Sequence, residues 1–218
     1  MAQLRLIIGN RNYSAWSLRA WLLMRQMGIE FEEIQIPLGR ADSLERKLSY
    51  SPAGLVPILI DGDLRVWDSL AIAEHLAERF PDKRVWPADA RPRALARSVS
   101  AEMHSGFTSL RASMPLNCRA RRPGAGRGPG VQADIDRVLR IWRECRGEHG
   151  AGGPFLFGDF TVADAMFAPV GSRFQTYGVD LDAEATGYAK ALLELPAVSE
   201  WMSAAEAEPW RIAEFDEA

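Results

Sequence analysis

The hydrophobic pattern changes its period part-way along the chain, and the change divides the sequence in two. Leu4–Ile8 is a short apolar run that reads as a buried strand. Trp16–Met27 follows with a helical stripe through Leu18, Trp21 and Leu22. Phe31–Ile36 reads as a second strand that ends at Pro37, and Asp42–Leu48 as a short helix capped by Asp42 with Glu45 three residues on. Ile58-Leu59-Ile60 is β-prone, Asp61-Gly62-Asp63 is a hairpin turn signal, and Leu64-Arg65-Val66 is the returning strand. Asp68-Ser69 opens a helix whose Leu70, Ala73, Leu76 and Ala77 share one face. The order is β-α-β-α-β-β-α.

From Arg93 onward strand signals vanish. Arg93–Met114, Val131–Arg146, Thr161–Tyr177, Ala183–Leu195 and Ala197–Ala207 all carry helical spacing. Phe80-Pro81-Asp82, Pro87 and Pro92 punctuate the join. The reading is an α/β unit with a thioredoxin-like layout over residues 1–81, a linker over 82–92 and an all-α unit over 93–218. Residues 119–130, RARRPGAGRGPG, read as a mobile, solvated, positively charged loop. Trp142, Trp201 and Trp210 read as anchors of helix packing.

Composition narrows the function classes. Hydrophobic residues make up 47% and charged ones 25% of 218 residues, ordinary for a soluble globular protein. A net charge of −3 favours no nucleic-acid partner, and the absence of a long apolar run argues against a membrane partner. The N-terminus reads as a first strand and not a signal peptide, and the two cysteines read as the buried or incidental thiols of a cytoplasmic protein. Cys118 and Cys145 form no metal pattern, and His75, His104 and His149 are scattered, so no metal site is expected. His104 reads as a surface or satisfied core residue with no role. With no cysteine in the first half, mixed-disulfide chemistry is a poor fit.

Candidate chemistry gathers where the first strand meets the first helix. In an open α/β unit ligands collect at the carboxyl ends of strands, and a helix N-terminus favours an anion. In Asn10–Trp21, Ser14 is the foremost hydroxyl, with Tyr13, Ser17 and Asn12 behind it. A plain helix cap is the competing reading for Ser14, and one hydroxyl can serve both ends. A second focus is Leu55–Leu76. Pro57 stands where a strand begins, which suits a tight, cis Val56–Pro57 bond, and Asp68-Ser69 adds an acidic group and a hydroxyl. Such a convergence suits a small zwitterion.

These motifs, in this order over essentially the whole chain, resemble a cytosolic glutathione transferase of the serine-type, zeta/theta-like kind. Ser51–Pro57, SPAGLVP, is similar to the family's N-P-x-G-x-V-P segment, and Ser14–Arg19 to its S-x-x-S-x-R pattern. The resemblance implies that Ser14 donates to the glutathione sulfur, with Tyr13 as rival and Ser17 facing the first helix turn. It implies that Val56 pairs with the cysteinyl unit and that Asp68 and Ser69 hold the γ-glutamyl end. Gly158–Asp164 is similar to the start of the family's sixth helix, where Thr161 and Asp164 form a capping box with a folding role.

Two departures stand out. Ser14-Ala15-Trp16 replaces the Ser-Ser-Cys of zeta-class isomerases, and Leu55 replaces a polar residue, leaving Arg40 or Lys47 to meet the glycyl end. The acceptor site is expected between the two units, where Met103, Phe107 and Arg111 share a helix face at i, i+4, i+8. Each apolar member also reads as core, and Arg111 either as a solvated arginine or as the contact for an acidic substrate. The resemblance thus implies a detoxifying glutathione transferase, a homodimer acting on a small electrophile. A maleylacetoacetate-type cis–trans isomerase and a non-catalytic binding or scaffold protein are the alternatives.

Overall fold

A computed structural model describes residues 3–217. The first unit comprises β1 (Arg5–Ile8), α1 (Ala15–Gln26), β2 (Glu32–Gln35), α2 (Ser43–Leu48), β3 (Ile58–Asp61), β4 (Leu64–Trp67) and α3 (Ser69–Arg79). The sheet order is β2-β1-β3-β4. β1 and β2 are parallel, with Leu6 opposite Glu33, while β3 runs antiparallel to β1 with Leu59 opposite Leu6. β4 returns antiparallel to β3. Alternation sorts the side chains: Leu6, Ile8 and Leu59 join the main core, whereas Ile7, Ile58 and Ile60 form a small second cluster on the other face. This is the thioredoxin-like layout read from the pattern.

The rest is helical among the described residues: α4 (Ala90–Ser105), α5 (Thr108–Ser113), α6 (Val131–His149), α7 (Val162–Tyr177), α8 (Ala183–Leu193), α9 (Pro196–Ala207) and α10 (Ala213–Glu217). α7 is buried along nearly its whole length, as a helix apolar all round must be. It packs against α1, α4 and α8. Trp142 lies edge-on to Phe167 and Tyr188, and Trp201 meets Trp21 with ring centroids 5.1 Å apart.

Several local expectations are corrected. The helix read as Arg93–Met114 breaks in two at Gly106-Phe107, where Phe107 adopts φ 55°. A Cβ on Gly106 would lie 2.8 Å from the Glu102 carbonyl oxygen, and glycine disfavours a helix interior by about 1 kcal/mol. Asp42 makes no side-chain cap: its backbone is already helical, and its carboxylate faces Arg40 and Arg46. Residues 119–130 are solvated, as read, but not a free loop. Arg122 N–H donates to Thr176 O at 2.7 Å and Gly124 N–H to Tyr177 O at 3.0 Å, tying the segment to the end of α7. α10 is an element that the pattern did not announce.

The capping box forms. Asp164 Oδ2 accepts from Thr161 N–H at 2.8 Å, and Oδ1 accepts from Leu156 N–H and the Tyr188 hydroxyl. Burial outweighs these donors and that of the Thr161 hydroxyl, which donates to Oδ2 at 3.1 Å, and pushes the Asp164 carboxyl up to about 6 from 3.8. The folded state therefore binds this proton more readily than the unfolded chain, so the group's contribution to stability falls as pH rises through about 6. Asp164→Asn removes the titration. The unfolding midpoint of the wild type is expected to gain on that of the variant as pH is lowered from about 7 to about 5. A gap that stays constant over that interval would contradict the assignment.

Candidate active site

The β1–α1 turn is held from several sides. Gly9 N–H donates to Ser17 Oγ at 3.0 Å, and Leu38 N–H to Asn10 Oδ1 at 2.6 Å. Arg11 N–H and Asn12 N–H both donate to the Glu208 carboxylate, at 2.7 and 3.1 Å. Ser14, 4% exposed, then caps α1 by accepting from Ser17 N–H at 3.2 Å, and its hydroxyl lies 2.8 Å from that of Ser17. Cap and reactive hydroxyl are thus compatible. If Ser14 turns its proton toward a ligand, Ser17 can donate back along the same 2.8 Å line.

Ser14 lines a cavity of about 410 Å³ with Trp16, Lys47, Arg111, Arg173 and Phe215. A neighbouring cleft of about 420 Å³ is lined by Val56, Pro57, Trp67, Asp68 and Ser69. Trp16, Leu55 and Val56 border both, so the two spaces adjoin across the Trp16 indole. The Val56–Pro57 bond is cis. Ser69 is 2% exposed at the start of α3, and its hydroxyl has no partner within the protein. Such a buried hydroxyl costs about 1–3 kcal/mol unless something answers it. Asp68 precedes it at φ 76°, a conformation costing a non-glycine residue about 1–3 kcal/mol that is found chiefly at functional sites. Its Oδ1 caps α3 at Leu70 N–H, 2.8 Å away.

The structure separates the residues singled out by sequence. Ser14, Val56, Asp68, Ser69, Lys47 and Arg111 border the two spaces. Arg40 does not; it lies on the surface beside Asp42. Met103 and Phe107 do not either, because the break at Gly106 removes their common helix face and both join the core. The Tyr13 hydroxyl donates to Asp216 at 2.9 Å and accepts from Arg119 and from Ile212 N–H, so it is committed to the C-terminal segment.

Sequence reasoning missed the buried cations. Arg19 is 2% exposed, its guanidinium stacks 4.3 Å over Trp16, and two of its nitrogens lack partners. Arg173, 5% exposed, donates Nε–H to Met114 O at 2.7 Å and leaves Nη1 without a partner. Burial, then the neighbouring arginines, lowers Arg19 to about 9 and Arg173 to about 10. The signal was an arginine inside an otherwise apolar helix, since a buried charge is rare without a partner.

The glutathione S-transferase N-terminal domain model matches residues 13–79, and the C-terminal domain model residues 89–204. The chain belongs to the glutathione S-transferase family. Among relatives, this transferase is 29% identical over 196 residues to the maleylacetoacetate isomerase of Rattus norvegicus, covering 86% of each chain. It is 24% identical over 174 residues to glutathione S-transferase Z1 of Arabidopsis thaliana, covering 75% of this chain and 78% of that one. A match to glutathione S-transferase 1 of Dianthus caryophyllus is 34% identical but spans only 47% of this chain and 46% of that protein. Among solved structures, a glutathione transferase homologue from Burkholderia with bound glutathione superposes with a TM-score of 0.73 at 24% identity, over 94% of this chain and all of that one. Among the described residues no group of three or more metal-ligating side chains occurs, and no helix is long and apolar enough to cross a membrane.

The transferase's unanswered cations yield a stability prediction. Arg173→Met removes one carbonyl hydrogen bond, worth about 1 kcal/mol, and relieves the larger cost of a buried unpaired charge. Chemical denaturation is expected to show the variant more stable by about 1 kcal/mol. Destabilisation by several kcal/mol would show that the cation is compensated within the protein.

Proposed function

We propose that this glutathione transferase activates the glutathione thiol with Ser14 and delivers it to a small electrophile that carries a carboxylate. The observation supporting the reading is that one cavity is lined by Ser14, Arg111 and Arg173 together, next to a cleft lined by Ser69, whose buried hydroxyl is unanswered within the protein.

Glutathione is the co-substrate. Ser69 Oγ–H donates to its γ-glutamyl carboxylate, Asp68 accepts from its ammonium, and the Val56 backbone pairs with the cysteinyl unit. Lys47, which borders the cavity, takes the glycyl carboxylate that Leu55 cannot meet. Ser14 Oγ–H donates to the sulfur at the N-terminus of α1, where the helix end favours an anion. An ordinary thiol titrates at about 8.5; lowering it by about two units takes roughly 2.7 kcal/mol, within reach of one hydroxyl donor and a helix end. The thiolate forms a bond from sulfur to carbon, and the leaving group departs with its electron pair.

A second reading draws on the same cations. In a cis–trans isomerase the thiolate adds to a carbon–carbon double bond, charge moves onto a conjugated carbonyl oxygen near the arginines, the new single bond rotates, and elimination returns glutathione unchanged. The isomerase relative supports this route. Half-exposed Leu64 and Trp67 on β4 offer apolar surface for a second copy, so we read the protein as a cytoplasmic homodimer, with detoxification as the setting of the transferase route.

Ser14→Ala is expected to keep the glutathione dissociation constant within a few-fold and to lower kcat by about 100-fold. Ser69→Ala is expected to weaken binding about tenfold in calorimetric titration. Wild-type-like activity in the first or affinity in the second would remove that residue from its role. Activity is also expected to favour carboxylate-bearing electrophiles over their methyl esters, a preference that Arg111→Gln reduces. Chromatography of the products separates the two routes, because only conjugation consumes glutathione. Binding without turnover on either substrate class would leave a scaffold.

A further inference from the structure

Asp68 has two carboxylate oxygens, and only one is explained by its own helix. Oδ1 caps α3, whereas Oδ2 lies 2.6 Å from His104 Nε2, on α4 in the helical half of the molecule. The partners come from elements that meet only when the two halves pack. The His104 ring also lies edge-on to Trp16, 5.2 Å between centroids, and Trp16 is the wall shared by the two spaces. On its other side, the His104 carbonyl accepts from Arg111 Nη1 at 2.9 Å.

We infer that His104 is a positioning residue for glutathione, fixing the Asp68 carboxylate so that it faces the ammonium of the γ-glutamyl end. This rests on glutathione being the occupant of the Asp68–Ser69 cleft. Asp68 sits at φ 76° beside the exposed end of a hairpin, and its cap bond fixes only one oxygen. An Nε2–H donor on the second oxygen removes the remaining rotation of the carboxylate. Each carboxylate oxygen has two lone-pair positions, so Oδ2 can accept from His104 and from an ammonium together. The arrangement gives the helical half a hand in co-substrate binding that is separate from its contribution to the acceptor cavity.

The ring and the carbonyl of His104 do different work, and that separates the outcomes. Substituting the side chain removes the bond to Asp68 but keeps the carbonyl that holds Arg111. His104→Leu keeps bulk against Trp16 and loses the donor; His104→Gln keeps a terminal N–H donor. The expected result in calorimetry of the full-length protein is a glutathione dissociation constant raised about five- to tenfold in His104→Leu and restored to within about twofold in His104→Gln. The pH midpoint of the bound thiolate, read by ultraviolet absorbance, and the KM of the acceptor stay at their wild-type values.

A His104→Leu variant that binds as tightly as the wild type overturns the assignment. So does a His104→Gln variant as weak as the leucine one, or a shifted thiolate midpoint. Should His104→Leu fail to fold, His104→Phe, which keeps a ring edge against Trp16, replaces it under the same criteria. Wild-type protein that does not bind glutathione overturns the underlying reading and this inference with it, an outcome distinct from wild-type binding that is insensitive to His104.

Discussion

The site depends on one buried carboxylate. Glu208, 7% exposed, accepts from the Arg11 and Asn12 amides and from the Gln35 side chain, and so fixes the turn on which Ser14 stands. Without an acceptor, two amides of that turn would be buried and unpaired, each at about 1–3 kcal/mol. The turn is also tied from within through Gly9 and Ser17 and from α9 through Trp201 Nε1–H, which donates to Arg11 O at 2.9 Å. A hydroxyl held this firmly is ready to donate without first being ordered.

Around that turn the electrostatics run one way. Arg19, Arg111 and Arg173 crowd the same interface, and the charge that opposes Arg19 is Asp68, which is also the most strained non-glycine residue bordering the clefts. A fold selected for stability alone would replace buried, half-satisfied guanidiniums with apolar groups. Their retention makes sense if an anion completes them, and the same reasoning applies to the unanswered hydroxyl of Ser69. The two deficits belong to the two spaces that share Trp16 as a wall.

How much of this was legible in the sequence follows from which forces are local. The strands, hairpin and first helix were visible because their periods and caps are set by neighbours a few residues away. The Thr161–Asp164 capping box was visible for the same reason. The break at Gly106-Phe107 was missed because the apolar spacing continues through it; only the backbone, extended at Gly106 and left-handed at Phe107, shows where the helix stops. That single break dissolved the Met103–Phe107–Arg111 face. Residues 119–130 are as solvated as their composition suggests, but composition does not report the carbonyls of Thr176 and Tyr177 that receive their amides and tie them down. His104 and Arg173 were invisible as site residues since their partners lie on other elements, with no motif linking them.

The link between Arg11 and Glu208 spans 197 residues, and it sets a timetable for synthesis. The first unit leaves the ribosome with its sheet, Ser14 and Ser69 already made. At about 5–20 residues per second, roughly six to twenty-six seconds then pass between the end of α3 and the arrival of Glu208, with the segment that engages Tyr13 close behind. Through that interval the nascent unit holds a hydroxyl-bearing turn with two unclaimed amides. The chain therefore completes the corner that carries Ser14 last, although nearly every residue in it is among the first to be translated.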